Sequence, residues 1–390
     1  MGLTGTMPTA LIRAMFDHLT QFSIRDQAAL AETETDLLPP YDGRVANATV
    51  YTNVEALNPA FGRHLREDIY VDRPCALSPV RLGRMPAGAV LHGGGEFLLS
   101  ADGALLREQI APYLETNPAR VAELVGTTRP IVDYAEECLL LARFGLYTWG
   151  HWLGELLPKA VLVEAAYPGR FRYVVPSPVL TDPTPHLPWI RIRESLLAYG
   201  IDSTRLLTID DAQDTRFRAL HIVGSVWSDH LMHPGAMQAM RERLIPSLAP
   251  IRSDRPIRAA LMREGDGRAI ENAEAVQALL RADGFAFYPV GRMRFWDQVR
   301  LFQSAETIFA ILGSDLTGLI YAQQGVRVIS VAPSIFGDRF FYAMILDRNG
   351  HYADIRGPVG TLNTETGHRS SFTIDPAELR VALDRLGAIR

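Results

Sequence analysis

Two arginines and a glycine loop have the residue types that bind anions. Arg263 and Arg268 suit a diphosphate, because a guanidinium donates paired hydrogen bonds and stays charged. Residues 313–317 follow the apolar run 308–312, so the first amides of a new helix would face the same anion. The candidate residues of this loop are Gly313, Ser314, Asp315 and Thr317, with Ser314 and Asp315 expected to cap the helix. The alternative is a surface role, in which the arginines pair with Glu264, Asp266 or Glu271.

His151 is the candidate general base. It lies in the first turn of a predicted helix, where the positive end of the helix dipole favours a neutral imidazole that can accept a proton. Glu155 follows one turn later, where it can orient the ring or stabilise the imidazolium. The alternative is a packing or capping histidine beside Trp149 and Trp152.

Two further motifs give weaker signals. His230 and His233, with Asp229, have no third ligand at useful spacing, so we expect loop or rim residues and no metal. Residues 92–95, His-Gly-Gly-Gly, resemble the oxyanion-hole motif of esterases, but the chain has no Gly-x-Ser-x-Gly nucleophile elbow. A turn is therefore expected at residues 92–95.

The composition bounds the class of protein. The 390 residues are 47% hydrophobic, which is typical of a globular chain with about two domains. A net charge of −5 argues against a nucleic-acid partner. Cys75 and Cys138 lack partners at metal-ligand spacing and are expected to be buried free thiols. Because no stretch approaches the ~18 apolar residues of a membrane span, we expect a cytoplasmic protein, with peripheral membrane contact left open.

The pattern of elements predicts an α/β protein. Residues 1–45 are expected to form a helical arm, 46–245 a first domain and 246–390 a second, with a proline-rich linker at 246–256. Helices and strands alternate over 139–225 and again from residue 257, which predicts parallel sheets. The second domain is predicted to be Rossmann-like. Its arginines and its glycine loop follow strands, so we expect them to share one edge of the sheet.

The sequence resembles glycosyltransferase family 61 over roughly residues 75–360. The resemblance rests on Gly150-His151-Trp152 with Leu156-Leu157-Pro158 behind it, on Arg263, Arg268 and Asn272, and on the stretch from Phe295 to Pro333. It implies a GT-B-like fold, with two Rossmann-like domains facing each other across a cleft, the first holding the acceptor and the second the nucleotide sugar. It matches His151 to the family's histidine, the two arginines to its arginine pair, and Gly313 and Ser314 to its glycine loop.

The resemblance also implies a function. It points to an inverting hexosyl- or pentosyltransferase of bacterial capsular or extracellular polysaccharide synthesis, with a glycan or lipid-linked glycan as acceptor. No cofactor is expected, since the arginines and the helix terminus would neutralise the leaving diphosphate without a metal. The chain departs from the family pattern at Leu312, Ser330 and Ala273. These departures motivate the alternative of a catalytically degenerate glycan- or nucleotide-binding scaffold.

Overall fold

The computed structural model describes most of the chain after residue 23. The described residues are 24–389 without 96, 110–118, 120–122, 124–128, 144–145, 147, 182–186, 229–230, 250, 252–256, 264–266, 339 and 365–366. The first 23 residues of the predicted arm, most of the predicted linker, and Glu264, Asp266, Asp229 and His230 therefore lie outside the described residues.

The elements are as follows. The strands are β1 Ile24–Arg25, β2 Thr33–Leu38, β3 Tyr41–Val45, β4 Thr49–Thr52, β5 Arg73–Leu77, β6 Val80–Arg84, β7 Ala89–His92, β8 Phe97–Leu99, β9 Leu105–Leu106, β10 Ile131–Leu140, β11 Arg172–Pro176, β12 Leu206–Ile209, β13 Asp214–Val223, β14 Trp227–Ser228, β15 Leu231–Met232, β16 Ile257–Leu261, β17 Ala286–Tyr288, β18 Ala305–Ile311, β19 Arg327–Pro333 and β20 His351–Gly357. The α-helices are α1 Gln27–Leu30, α2 Val54–Leu57, α3 Pro59–His64, α4 Trp149–His151, α5 Leu157–Ala166, α6 Pro178–Thr181, α7 Leu187–Ala198, α8 Pro234–Leu244, α9 Ala273–Ala282, α10 Phe295–Ser304, α11 Tyr342–Asp347 and α12 Pro376–Gly387. Turns of 3-10 helix occupy Arg107–Gln109, Ser203–Arg205, Ile245–Ser247, Val290–Arg292, Ser314–Tyr321 and Gly367–Arg369, and π-helical turns occupy Leu65–Ile69 and Trp152–Leu156.

The chain forms two compact units that are interleaved along the sequence. Unit 1 comprises residues 1–39, 79–147 and 159–225, and unit 2 comprises 40–78, 148–158 and 226–390. The predicted domains were contiguous segments that met at residues 46 and 246, whereas these two units are interleaved, so the domain boundaries stay a prediction. Within the predicted arm of residues 1–45, the described residues 24–45 hold β1, β2 and β3 with only one short helix.

Unit 1 contains a mixed sheet of ten strands within its described residues. Strands β13, β10, β11 and β12 are parallel, as the alternation over 139–225 predicted, and β6 and β7 pair with β13 in the antiparallel sense. Its core includes Leu91, Leu98 and Phe217. The hairpin strands β7 and β8 meet at a turn in which Gly93 and Gly95 have positive φ, which confirms the predicted turn.

Unit 2 contains a parallel sheet that, across the described residues, runs β17-β16-β18-β19-β20-β4. The strands β18 and β19 are buried along almost their whole length, because helices cover a parallel sheet on both faces. The apolar run near residue 308 predicted this burial. Asp375 accepts from Ala377 N at 2.8 Å and caps α12. The α/β class is thus confirmed, and the GT-B arrangement stays a prediction.

Both cysteines are free and buried, as expected. Burial in the core raises the pKa of Cys138 to about 12. Among the described residues, none of the helices combines the length and apolar composition needed to cross a membrane.

Candidate active site

The candidate site lies where the strand order of unit 2 reverses. The chain passes from β16 to β17 on one side and then crosses to β18 on the other, so the carboxyl ends of β16 and β18 flank a switch point. Crevices at such points are where open α/β sheets bind ligands. Arg263 follows β16 and Gly313 follows β18, and both therefore belong to this edge.

The guanidinium groups of the two arginines converge on Gly313. A β-carbon placed on Gly313 would lie 2.7 Å from Arg263 Nη1 and 3.0 Å from Arg268 Nη2. The backbone of Gly313 has φ 164°, which any residue can adopt. The absence of a β-carbon at Gly313 therefore leaves space that the arginine tips occupy, and a larger residue here would displace them.

Neighbouring loops fix the two side chains. Arg263 Nε donates to Gly267 O at 3.0 Å. The Arg268 guanidinium carbon lies 4.5 Å from the centre of the Phe336 ring, a cation–π distance. Arg356 donates to Phe336 O and forms a fully buried ion pair with Asp354, so the loop that carries Phe336 is held from the core.

The site concentrates positive charge in a buried place. Burial lowers the pKa of Arg263 and, together with the neighbouring charge of Arg263, lowers the pKa of Arg268 to about 10. Asp315 and Asp338 act in the opposite direction on Arg268. Arg268 is only 8% exposed, and among the described residues its buried Nε has no hydrogen-bond partner. Both arginines stay charged at neutral pH, and an anion would relieve their repulsion.

Pairing with Glu271 does not account for the arginines, and the other two predicted partners, Glu264 and Asp266, lie outside the described residues. Glu271, the predicted partner that the structure describes, accepts instead from Ser371 Oγ at 2.5 Å and from Thr361 N at 3.0 Å. The described carboxylates that act on the arginine pair are Asp315 and Asp338.

The helix after Gly313 differs from the prediction. Residues Ser314–Tyr321 form a 3-10 helix whose N-cap residue is Gly313, and no side chain caps it, so Ser314 and Asp315 are not the expected caps. Thr317 is fully buried and its hydroxyl donates to Ser314 O at 2.8 Å, so its side chain stabilises the helix. Asp315 offsets part of the arginine charge.

The segment that carries His151 packs on this same helix and on α10. On α10, Trp149 Nε1 donates to Gln298 Oε1 at 3.0 Å, and the Trp149 ring meets Phe295 edge to face. A β-carbon on Gly150 would lie 3.2 Å from Ser314 Oγ. Residues 148–158 belong to unit 2 with the arginines, whereas the first domain predicted for residues 46–245 contained His151.

His151 and Glu155 form a hydrogen-bonded pair. The His151 Nδ1 atom lies 2.5 Å from Glu155 Oε1, across the π-helical turn Trp152–Leu156. The imidazole side chain is 45% exposed and the carboxylate side chain 17%. Trp149 and Trp152 are the buried packing residues here, so the packing alternative for His151 is not what the structure shows.

The described histidines of the two weaker motifs, His233 and His92, have structural roles. His233 is buried and its Nδ1 accepts from Gly235 N at 3.2 Å, which makes it the N-cap of α8. His92 is buried, pairs with Asp214 at 3.0 Å and stacks on Phe97. Over the described ranges, no group of three or more histidine, cysteine or acidic residues has a metal-binding arrangement.

Residues 149–329 match the family model Glycosyltransferase 61. The match supports a glycosyltransferase, with a sugar donor and a glycan acceptor as its substrates. No curated protein matches the chain.

The glycosyltransferase match covers only part of the site. It includes His151, Glu155, Arg263, Arg268 and residues 313–317, and it ends before Phe336, Arg356 and Arg369. Arg369 is a third arginine whose charge acts on both members of the pair, and its carbonyl accepts from Arg268 N at 2.9 Å. Sequence reasoning missed Arg369 because no local motif links it to the arginines more than a hundred positions earlier.

Two departures from the family pattern lie in the core. Leu312 is 1% exposed, and Ser330 is fully buried with its hydroxyl bonded to Tyr352. Neither side chain reaches a surface that a ligand could touch. These two residues therefore give no support to a degenerate binding protein.

Proposed function

We propose that the protein is an inverting glycosyltransferase that moves a sugar from a nucleotide-sugar donor to a glycan acceptor in polysaccharide biosynthesis. The observation that carries the proposal is the convergence of two buried guanidinium groups on Gly313, next to the helix on which the His151 segment packs. An anion site and a candidate base thus share one region of unit 2.

The arginine pair would bind the diphosphate of the donor. Negative charge grows on the diphosphate as its bond to the sugar breaks, so groups already aimed at it stabilise the transition state more than the ground state. Arg263 and Arg268 are held by Gly267 and Phe336 before any ligand arrives, which reduces reorganisation. In this proposal no metal is needed to neutralise the leaving group.

The His151–Glu155 pair would activate the acceptor. The Nδ1–H bond to Glu155 leaves the lone pair of Nε2 to accept the proton of an acceptor hydroxyl. The acceptor oxygen then forms its bond to the anomeric carbon as the bond to the phosphate oxygen breaks, and the configuration inverts. Glu155 stabilises the imidazolium that results.

Calorimetry with UDP, GDP, CDP, ADP and pyrophosphate tests the donor site. We expect at least one nucleoside diphosphate to bind, and Arg268→Ala to weaken it about tenfold or more because charged hydrogen bonds are lost. Gly313→Ala should also weaken binding, since its β-carbon displaces the arginine tips.

The matched control is Gly291→Ala, because a β-carbon on Gly291 meets nothing within 4 Å. This variant should bind like the parent protein. If the parent protein binds neither the nucleotides nor pyrophosphate, the proposed donor site is wrong. Donor turnover with an oligosaccharide acceptor panel, with the product anomer determined by NMR, checks the inversion.

A further inference from the structure

A segment early in the chain packs on the loop that carries Phe336. Residues 53–61 follow β4 and contain α2 and the start of α3, and the loop, residues 334–338, follows β19. Both stretches belong to unit 2, and both lie outside the residues 149–329 that match the family model. The contact between them is therefore not part of the matched region.

Two asparagines bond the segment to the backbone around the loop. Asn58 Nδ2 donates to Ser334 O at 3.0 Å, while its Oδ1 accepts from Phe61 N at 3.3 Å and caps α3. The Asn53 side chain makes a pair of bonds to Arg356, because its Nδ2 donates to the carbonyl at 3.0 Å and its Oδ1 accepts from the N–H at 2.7 Å. The Asn58 amide thus fixes the first residue of the loop and the N-terminus of α3 relative to each other.

The ring of Phe61 packs against a later part of the loop. A β-carbon on Gly337 would lie 3.5 Å from Phe61 Cε2, which is a van der Waals distance. The guanidinium carbon of Arg356 lies 5.8 Å from the centre of the same ring, and Arg356 donates to Phe336 O. Phe61 therefore contacts both the loop and the arginine that holds the loop backbone.

The loop in turn contacts the anion site through two residues. The Phe336 ring lies 4.5 Å from the guanidinium carbon of Arg268, and the carboxylate of Asp338 interacts electrostatically with the same guanidinium. Within the described part of the chain, the buried Nε of Arg268 has no hydrogen-bond partner, so contact with the ring helps to fix this side chain. A displaced loop would take the ring and the carboxylate away from Arg268.

We infer that Asn58 and Phe61 are positioning residues for the anion site, which hold the 334–338 loop so that the Phe336 ring keeps the Arg268 guanidinium at Gly313. The inference rests on the proposed function, because it takes the arginine pair as the diphosphate site. The two residues act without touching the ligand. They set the fraction of molecules whose site is ready to bind, and the apparent affinity falls in proportion to that fraction.

Calorimetry with pyrophosphate, UDP, GDP, CDP and ADP tests the role of Asn58. Asn58→Ser keeps an oxygen that can cap α3 but loses the amide that reaches Ser334 O. We expect this variant to bind the diphosphates of the parent protein about fivefold more weakly, as the loss of one hydrogen bond implies. The matched control Asp375→Ser also replaces an N-cap residue by serine, at α12, and should bind like the parent protein.

A double-mutant cycle distinguishes positioning from a general loss of structure. Phe336→Leu removes the ring from Arg268, so it should also weaken diphosphate binding about fivefold. Because Asn58 acts through that ring, Asn58→Ser should cause no further loss when Phe336 is already leucine. Phe61→Leu should behave as Asn58→Ser does, and it keeps the test available if the Asn58 variant does not fold.

The inference is overturned if a folded Asn58→Ser or Phe61→Leu variant binds diphosphates like the parent protein. It is also overturned if the losses caused by Asn58→Ser and Phe336→Leu add in the double variant. A parent protein that binds neither pyrophosphate nor any of the four nucleotides would instead contradict the proposed function.

Discussion

Two histidine–carboxylate pairs of unit 2 have almost the same local geometry. His151 and Glu155 lie 2.5 Å apart across the π-helical turn Trp152–Leu156. His64 and Asp68 lie 2.6 Å apart across the π-helical turn Leu65–Ile69. Both pairs have the same spacing along the chain, and both use Nδ1 of the imidazole.

Their surroundings differ. The Glu155 side chain is 17% exposed, whereas that of Asp68 is 62% exposed and solvated. The nearby Arg66 is paired with Glu55 and Glu67. The His151 segment packs instead on the helix that starts beside Gly313. The guanidinium groups of two buried arginines lie against Gly313. A carboxylate that is shielded from solvent attracts a protonated imidazole more strongly than a solvated carboxylate does.

The comparison shows that spacing and hydrogen bonding do not define a catalytic pair. A motif search would select both pairs, and only the packing around them distinguishes one from the other. The following predictions test whether this difference in packing corresponds to a difference in function.

Replacing the two histidines should give the largest contrast. His151→Ala should lower kcat by about a hundredfold or more because a general base is lost, while His64→Ala should stay within about twofold of the parent enzyme. Steady-state kinetics with saturating donor measure both. Equal activity of the two variants would remove His151 from the mechanism, and an unchanged UDP affinity in His151→Ala would show that the donor site is intact.

Replacing the two carboxylates should give a smaller contrast. Glu155→Gln keeps the size of the side chain but removes its charge, so we expect kcat to fall about tenfold with nucleotide affinity unchanged, and Asp68→Asn to have no effect. The double variant separates positioning from general loss of structure. When His151 is already alanine, Glu155→Gln should cause no further loss, whereas a purely structural Glu155 would still lower activity.

The third contrast concerns exposed arginines. Arg369 acts electrostatically on the buried pair, whereas Arg66 is paired with two glutamates on the surface. Arg369→Ala should weaken nucleoside diphosphate binding about fivefold at low salt, and the difference should shrink as salt screens the exposed charge. Arg66→Ala is the control and should leave binding unchanged. A salt-independent loss in Arg369→Ala would indicate a structural effect.

Much of the fold was predictable because its signals are local. The apolar run at residues 308–312 predicted β18. The interleaving of the units was not predictable. Residues 148–158 join unit 2 through the bond between Trp149 and Gln298, and such a contact leaves no periodic trace in the sequence.

The site was predictable to the extent that it follows strand ends. The arginines and Gly313 lie after parallel strands, and the rule for sheet edges brings them together. The 3-10 form of Ser314–Tyr321 could not be foreseen, since Ser314 and Asp315 have the composition of an ordinary helix cap. A hydrogen bond from Arg268 N to the carbonyl of Arg369 positions Arg369, and this long-range contact is visible only in the folded chain.

A third histidine extends the comparison from activity to stability. His221 of unit 1 is 5% exposed, and burial lowers its pKa, with Arg170 and Arg84 acting in the same direction and Glu137 in the opposite one. The folded protein therefore binds this proton less readily than the unfolded chain, whose histidine titrates near pH 6.5. The stabilising contribution is present above that pH and is lost as the pH falls towards the folded value.

We expect the free energy of unfolding to fall by at most about 1 kcal/mol between pH 7 and pH 5.5 through this residue alone. His221→Met removes the titrating group, so its urea midpoint should decrease less over that interval than the midpoint of the parent protein. His64→Ala serves as the control, because it removes a histidine from an exposed site rather than from the core. If the parent protein and His221→Met lose stability equally, burial of His221 does not cause the loss, and a different titrating group must be responsible.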